Sequence, residues 1–180
     1  MSPDLDEAVV EQVERLGTVA WSGTVYRCVS SARDPLSGEG ARLNGGRWNP
    51  RGLFPTIYLA QPFRTCVEEM RRTAEAAGMT LDRLIARGYT ANTIVVQDLE
   101  VLDLREDTAL QQVGLDRSDL TGRDWSACQS VGHASWFLAR SGLIAPSATG
   151  HGVVLAAFEE RLDPGQVTLT ASEPFAVADA

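Results

Sequence analysis

The chain has 180 residues, 44% of them hydrophobic and 22% charged, a balance that excludes collagen-like, coiled-coil and disordered classes. Its formal net charge of −8 leaves no basic excess to displace counterions from a phosphate backbone, so general nucleic-acid binding is excluded and a phosphorylated ligand must be held by local arginines. Cys28, Cys66 and Cys128 match neither a Cys-x-x-Cys metal spacing nor a disulfide framework, and they read as small buried thiols.

No linker-like stretch divides residues 1–180, which read as a single domain large enough to bury a core without staples. The acidic opening Met-Ser-Pro-Asp-Leu-Asp-Glu lacks the basic and apolar regions of a leader, and no apolar run approaches the ~20 residues of a membrane helix. The expected location is the cytoplasm.

Asp6 to Leu16 carries apolar residues at helical spacing and ends at Gly17. Thr18 to Ala20 and Thr24 to Val29 are β-rich runs interrupted at Ser22-Gly23, and the second sets Tyr26-Arg27 inside a strand. Ser30 to Asn49 reads as a long functional loop, and Thr56 to Ala60 as a strand. Pro62 then opens a helix whose stripe of Phe63, Cys66, Val67, Met70, Ala74 and Ala77 runs to Gly78.

Thr80 to Arg87 is a further helical piece, Thr93 to Val96 and Val101 to Leu104 are strands, and Arg105 to Val113 is weakly helical. Gly114 to Arg123 reads as polar connection, Trp125 to Ser141 as a helix buried on several sides and ended by Gly142. Leu143 to Ala148, Val153 to Phe158 and Val167 to Ala171 complete the strands, followed by an acidic tail after Glu173 that is a last strand or a loose end. The mixed order, without strict alternation, is that of an α+β fold.

Familiar catalytic patterns are absent: there is no dinucleotide or P-loop glycine motif and no nucleophile elbow, and His133 and His151 are not spaced for a metal. His133 sits in an apolar helix, where a packed imidazole is favoured over a catalytic one. What stands out is the run from Leu43 to Ala60, where glycines and prolines bring Arg47, Trp48, Arg51 and Tyr58 into a turn-rich loop and the strand after it. Its arginines can grip phosphate through paired hydrogen bonds, although an ordinary loop with solvated arginines fits the residue types equally.

Arg64, Glu68 and Arg72 stand four apart, so Glu68 has exposed ion-pair partners, whereas Glu69 lies at the rim of the buried stripe and can reach into a cleft. Ser126 stands at a helix start, either as a first-turn serine beside Asp124 or as a hydroxyl for a phosphate or ribose. Ser147 lies on a short strand, and its residue type alone assigns it no role.

Tyr26-Arg27, Gly-Gly-Arg-Trp-Asn-Pro at 45–50, Ile57-Tyr58-Leu59-Ala60 followed by Glu69, Asp124-Trp125-Ser126 with Gly132 and Trp136, and Ala145-Pro146-Ser147-Ala148 together resemble RES-domain proteins. These are the toxin halves of RES–Xre toxin–antitoxin pairs, and the chain is especially similar to the mycobacterial branch whose toxin is an NAD+ phosphorylase. The resemblance covers about residues 20–170. It implies an ADP-ribosyltransferase-like fold, a bent and split β-core with flanking helices that holds NAD+ in its cleft. It implies Glu69, Arg27 and Arg47 as catalytic residues, and Tyr58, Ser126, Trp48, Tyr26 and Ser147 as substrate-binding, with Ser126 and Ser147 competing for the family's named serine.

The resemblance further implies NAD+ as substrate, inorganic phosphate as co-substrate, no metal or other cofactor, and a hetero-oligomer with an Xre-type antitoxin. In that setting Glu69 stabilises an oxocarbenium-like ribose, the arginines neutralise pyrophosphate and guide the attacking phosphate, and Tyr58 stacks against nicotinamide or the ribose, with the loop carrying Trp48 as part of the wall. The alternatives are an NAD+ glycohydrolase, an ADP-ribosyltransferase acting on a macromolecule, and a non-catalytic nucleotide-binding module.

Overall fold

The structure, a computed structural model, describes residues 4–176. The tail beyond 176 and the first three residues of the acidic opening lie outside them. The elements are, in order, α1 (Glu7–Leu16), β1 (Val19–Ser30), α2 (Glu39–Asn44), β2 (Thr56–Gln61), α3 (Phe63–Ala76), α4 (Leu81–Ile85), β3 (Tyr89–Asp103), α5 (Asp107–Gln112), α6 (Arg117–Thr121), α7 (Ser126–Phe137), β4 (Gly142–Pro146), β5 (Val153–Phe158) and β6 (Val167–Pro174). A short 3-10 turn, Glu159–Arg161, follows β5.

The sheet is organised by β3. One of its edges pairs with β1 from Val19↔Val101 to Ser30↔Tyr89. The other serves two partners in succession, β6 over Thr90–Val96 and then β4, in parallel, over Val101–Asp103. Asp98, at φ 47, marks the bend between them, a left-handed conformation that aspartate tolerates better than most residues. Antiparallel pairing continues from β4 to β5 to β2, and β2 returns to β1 at Tyr26↔Ala60. The circuit β1-β2-β5-β4-β3-β1 makes the sheet barrel-like, with β6 as an outer extension.

Alternation along the strands builds a core on each side. Ile57, Leu59, Val25, Ile94 and Leu155 meet inside the circuit. Tyr58, Leu143, Ala145, Ala156 and Phe158 face outward onto α7, joined by Trp48, Phe54 and Val13. Val67, Met70 and Ala74 of α3 pack with Leu81 and Leu84 of α4 and with Phe175 in a third cluster.

Several segments depart from the sequence reading. The two runs around Ser22-Gly23 are one strand with a register shift between Trp21 and Gly23, and the two runs at 93–96 and 101–104 are one 15-residue strand, because pairing with β1 continues through both breaks. The long loop contains α2, and the polar connection contains α6. In α6 a capping box does what apolar periodicity does elsewhere: the Asp116 carboxylate accepts from the Ser118 and Asp119 N–H groups, and Asp119 accepts from the Asp116 N–H. Helix α7 stops at Phe137, since Ala139 turns to φ 57, and Gly142 is the first residue of β4 instead of a helix terminator.

Candidate active site

Glu69 projects from the middle of α3 toward the turn after β4. There Ser147, only 3% exposed, donates its hydroxyl proton to Glu69 Oε1 at 2.6 Å. The Ser147 Oγ also lies 2.8 Å from Thr149 Oγ1 and accepts from the Thr149 N–H at 3.1 Å. A serine has one hydroxyl proton, and the carboxylate takes it, so Thr149 must be the donor in the 2.8 Å contact. The Thr149 oxygen accepts in turn from the His151 N–H at 3.4 Å, and with its one proton given to Ser147 at 2.8 Å the longer 3.3 Å approach to His151 O is the weaker competitor for it.

The turn itself is fixed at both ends. Ser147 N–H donates to Gly152 O, and Thr65, one turn before Glu69 on α3, donates its hydroxyl to His151 O at 3.1 Å. Helix and turn therefore hold Glu69 jointly. Glu68, next along α3, points away and pairs with Arg64 at 3.0 Å, as the four-residue spacing predicts.

A second constellation forms around Tyr58. Its hydroxyl accepts the Trp48 N–H at 2.9 Å and donates to Asn49 Oδ1 at 2.8 Å, and burial pushes the phenol above its ordinary pKa so that it stays a donor. Gly46 is required here, because a Cβ at that position would lie 2.4 Å from the Tyr58 hydroxyl. Gln129 of α7 donates to Gly46 O at 2.9 Å and so pins the loop from the other side. Trp48 is 2% exposed and packs in the outer core instead of lining an open wall.

Arg47 spans from this loop to the segment before α7. Its Nη1 donates to Asp119 O at 2.8 Å, both terminal nitrogens reach Gly122 O at 3.3 Å, and its guanidinium lies 5.5 Å from the centre of the Trp125 ring. Arg27 donates through Nη1 to Pro35 O at 2.6 Å and Ser37 O at 2.9 Å, tethering the loop after β1. Burial lowers its pKa, but a guanidinium remains charged. Tyr26, its neighbour in the strand, packs edge-on against Phe63 of α3 at 5.5 Å.

Of the residues singled out in the sequence, the structure brings Glu69 and Ser147 into direct contact. Tyr58, Trp48 and Arg47 form a second group around the 46–49 loop. Ser126 is exposed at the start of α7, where its N–H is taken by the Asp124 carboxylate at 2.9 Å, a bond that holds Asp124 below the usual carboxylate range. Arg27 lies between Val25, which points into the circuit, and Cys28, which packs toward α3.

Sequence reasoning missed Thr149, Thr65 and Asn49. The Ser-Ala-Thr-Gly turn after a strand was a signal for the first, because short hydroxyl residues bond the backbone two residues on. Asn49, fully buried, lies inside the quoted Gly-Gly-Arg-Trp-Asn-Pro run but carries no charge to draw attention. Among the described residues no group of three or more His, Cys, Asp or Glu side chains could hold a metal, and no helix is long and apolar enough to cross a membrane. An open depression of about 320 Å³ between α5 and α6, lined by Leu110, Asp116 and Arg117, shares no residue with either constellation.

The RES domain family matches residues 24–177. Proteins named NAD(+) phosphorylase MbcT, from Mycobacterium bovis and Mycobacterium tuberculosis, are 49% identical over 172 residues, covering 96% of this chain and 92% of theirs. The crystal structure of the M. tuberculosis MbcT-MbcA toxin-antitoxin complex contains a chain that superposes with a TM-score of 0.92 at 47% identity, over 97% of this chain and 96% of that one. A family match across most of the sequence, with relatives this similar along nearly its whole length, means that the chain belongs to the RES-domain family.

Proposed function

We propose that this chain is the toxin of a toxin–antitoxin pair and acts as an NAD+ phosphorylase, splitting NAD+ into nicotinamide and ADP-ribose-1″-phosphate. The observation that carries the reading is the Glu69 carboxylate held by Ser147 in a chain 49% identical to proteins named for that activity. As the bond from ribose to nicotinamide breaks, its electron pair leaves with the nicotinamide nitrogen and positive charge develops on the ribose. Glu69 stabilises that charge, and a phosphate oxygen then forms the new bond at the anomeric carbon.

In this reading Arg47 and Arg27 serve the phosphates. At Arg27 only Nη1 is engaged in hydrogen bonds among the described residues, which leaves Nε and Nη2 for anionic oxygens. Tyr58 builds the loop that carries Arg47, Tyr26 lies beside the start of α3, and Trp48 shapes the site from within the core. Ser126, exposed at the start of α7, is read as a further substrate-binding hydroxyl, and Ser147 orients the carboxylate. The core is read as an ADP-ribosyltransferase-like split sheet, no metal takes part, and the protein works in the cytoplasm where NAD+ is abundant. An Xre-type antitoxin is its partner, in a hetero-oligomer that keeps the site closed.

NAD+ consumption by the purified chain, free of antitoxin, tests this with and without inorganic phosphate. Nicotinamide with ADP-ribose-1″-phosphate, formed only when phosphate is present, is the expected result. Free ADP-ribose in both conditions would make the chain a glycohydrolase, and label transferred to a macromolecule would make it an ADP-ribosyltransferase.

Thr149 acts through Ser147, so Thr149→Val should lower kcat about 10-fold while leaving KM unchanged, because the carboxylate is loosened but the binding arginines are not. Thr149→Ser, which keeps the hydroxyl, should restore turnover. A Thr149→Val variant with normal kcat would remove Thr149 from the relay.

A further inference from the structure

Two of the three cysteines meet in the fold. Cys66 Sγ donates to Cys28 Sγ at 3.3 Å across a sequence separation of 38 residues, and all three cysteines are free thiols. Neither thiol takes part in the site described above, yet each is a near neighbour in sequence of one of its residues. Cys28 follows Arg27 on β1, and Cys66 stands one helical turn before Glu69 on α3. Cys66 is buried, whereas Cys28 is half-buried and so the more accessible of the two. Cys128 is buried elsewhere, against Asp119 O at 3.6 Å, with no thiol partner.

We propose that Cys28 and Cys66 are a reversible thiol–disulfide pair, whose oxidation by a peroxide staples β1 to α3 and lowers turnover at Glu69. The loss of turnover rests on the reading that Glu69 acts on NAD+; the staple does not. In the first step the Cys28 sulfur attacks a peroxide oxygen, the O–O bond breaks, and a sulfenic acid and one water result. In the second, the Cys66 sulfur attacks the sulfenic sulfur, the S–S bond forms and a second water leaves. The two thiols lose two electrons and two protons, and hydrogen peroxide is reduced to two waters.

The thiol–thiol contact with Cys66, in which Cys28 keeps its proton, and then burial push the Cys28 thiol well above its ordinary pKa, so its thiolate is scarce and oxidation requires sustained peroxide instead of a brief pulse. Bonded sulfurs sit about 2 Å apart, so the 3.3 Å contact must close by more than 1 Å. Helix α3 carries Cys66 and Glu69 as one unit. Drawing it toward β1 pulls the carboxylate off its 2.6 Å bond with Ser147, and a displacement of about 1 Å at a reacting centre is enough to cost up to ~10²-fold in rate.

The test uses the full chain, treated with hydrogen peroxide, quenched with N-ethylmaleimide and mapped by peptide mass without reductant. NAD+ turnover and thermal midpoint are read before oxidation, after it, and after dithiothreitol. The expected result is a peptide pair joined through Cys28 and Cys66 and two hydrogens lighter, a midpoint raised by about 8–16 °C from closing the 38-residue loop, and turnover at least ~10-fold lower, all reversed by reductant. Cys28→Ser and Cys66→Ser should lose the response, and Cys128→Ser should keep it.

The proposal is overturned if the folded chain yields no such peptide pair, if the pair forms without loss of turnover, or if Cys28→Ser is inactivated equally by peroxide. Absence of turnover in the fully reduced protein would instead count against the NAD+ reading, and the joined peptides and the midpoint would still decide whether the staple forms.

Discussion

Glu69→Gln should abolish NAD+ loss, by about 10³-fold or more, in protein whose circular dichroism and thermal midpoint match the parent. The substitution isolates charge from geometry. Glutamine has the same length, and its amide oxygen can still accept the Ser147 hydroxyl that lies 2.6 Å from Glu69 Oε1, so α3 and the turn after β4 keep their contacts. What disappears is the negative charge that opposes positive charge developing on the ribose. Ser147→Ala should give a smaller loss, since the charge stays but its orientation does not. Glu69→Gln protein that consumes NAD+ at the parent rate would move the chemistry to another residue.

Gly132→Ala should lower stability by about 3 kcal/mol, seen as a midpoint about 6–12 °C below the parent, and should reduce turnover with it. A Cβ on residue 132 would lie 1.8 Å from Trp48 O and 2.7 Å from its carbonyl carbon. Those atoms are backbone and cannot swing aside as a long side chain can. Either α7 or the 46–49 loop must retreat. Retreat breaks the Gln129 bonds to Gly46 O and Asn49 O and disturbs the Trp48 N–H donation to Tyr58. Arg47, held to Asp119 and Gly122 through the same loop, would then lose its position. A Gly132→Ala midpoint within about 1 °C of the parent would mean that the close helix–loop approach does not carry this energy.

Much of the secondary structure was legible where one local signal dominates. Apolar residues at helical spacing mark α1 and α3, and short apolar, β-favouring runs mark β2 and β5, each within a residue of its observed limits. Reading failed where a partner overrode a local signal. Gly23 and Asp98 look like breaks in isolation, yet both lie within long strands because the ladder between β1 and β3 runs past them. Helix α6 hid in a polar window because a capping box holds its N-terminal end, and α7 stopped short of Gly142 because of a single left-handed alanine.

For the site, the helical pattern separated Glu68 from Glu69. Glu68 was given an exposed arginine, and the 3.0 Å pair with Arg64 is there; Glu69 was given the rim of the buried face. Nothing in the spacing could say that Ser147, 78 positions further along, supplies its hydrogen bond, nor that Ser126 stands exposed with its N–H bound to Asp124. Trp48 and Tyr58 were legible as important but not in what they do, since an aromatic beside two arginines reads the same whether it lines a wall or anchors a loop.

The sequence by itself determined the elements whose signals act within a few residues: the caps, the amphipathic stripe of α3, the β-rich runs, the family motifs and the acidic balance that leaves phosphate binding to local arginines. Only the tertiary structure decided that β3 carries two partners on one edge, that Tyr58 supports the Trp48 loop, that Ser147 meets Glu69, and that Cys28 meets Cys66. The reason is one of range. Propensity and periodicity are properties of adjacent residues, whereas hydrogen bonds between residues tens of positions apart exist only after strand pairing and helix packing have brought their atoms together.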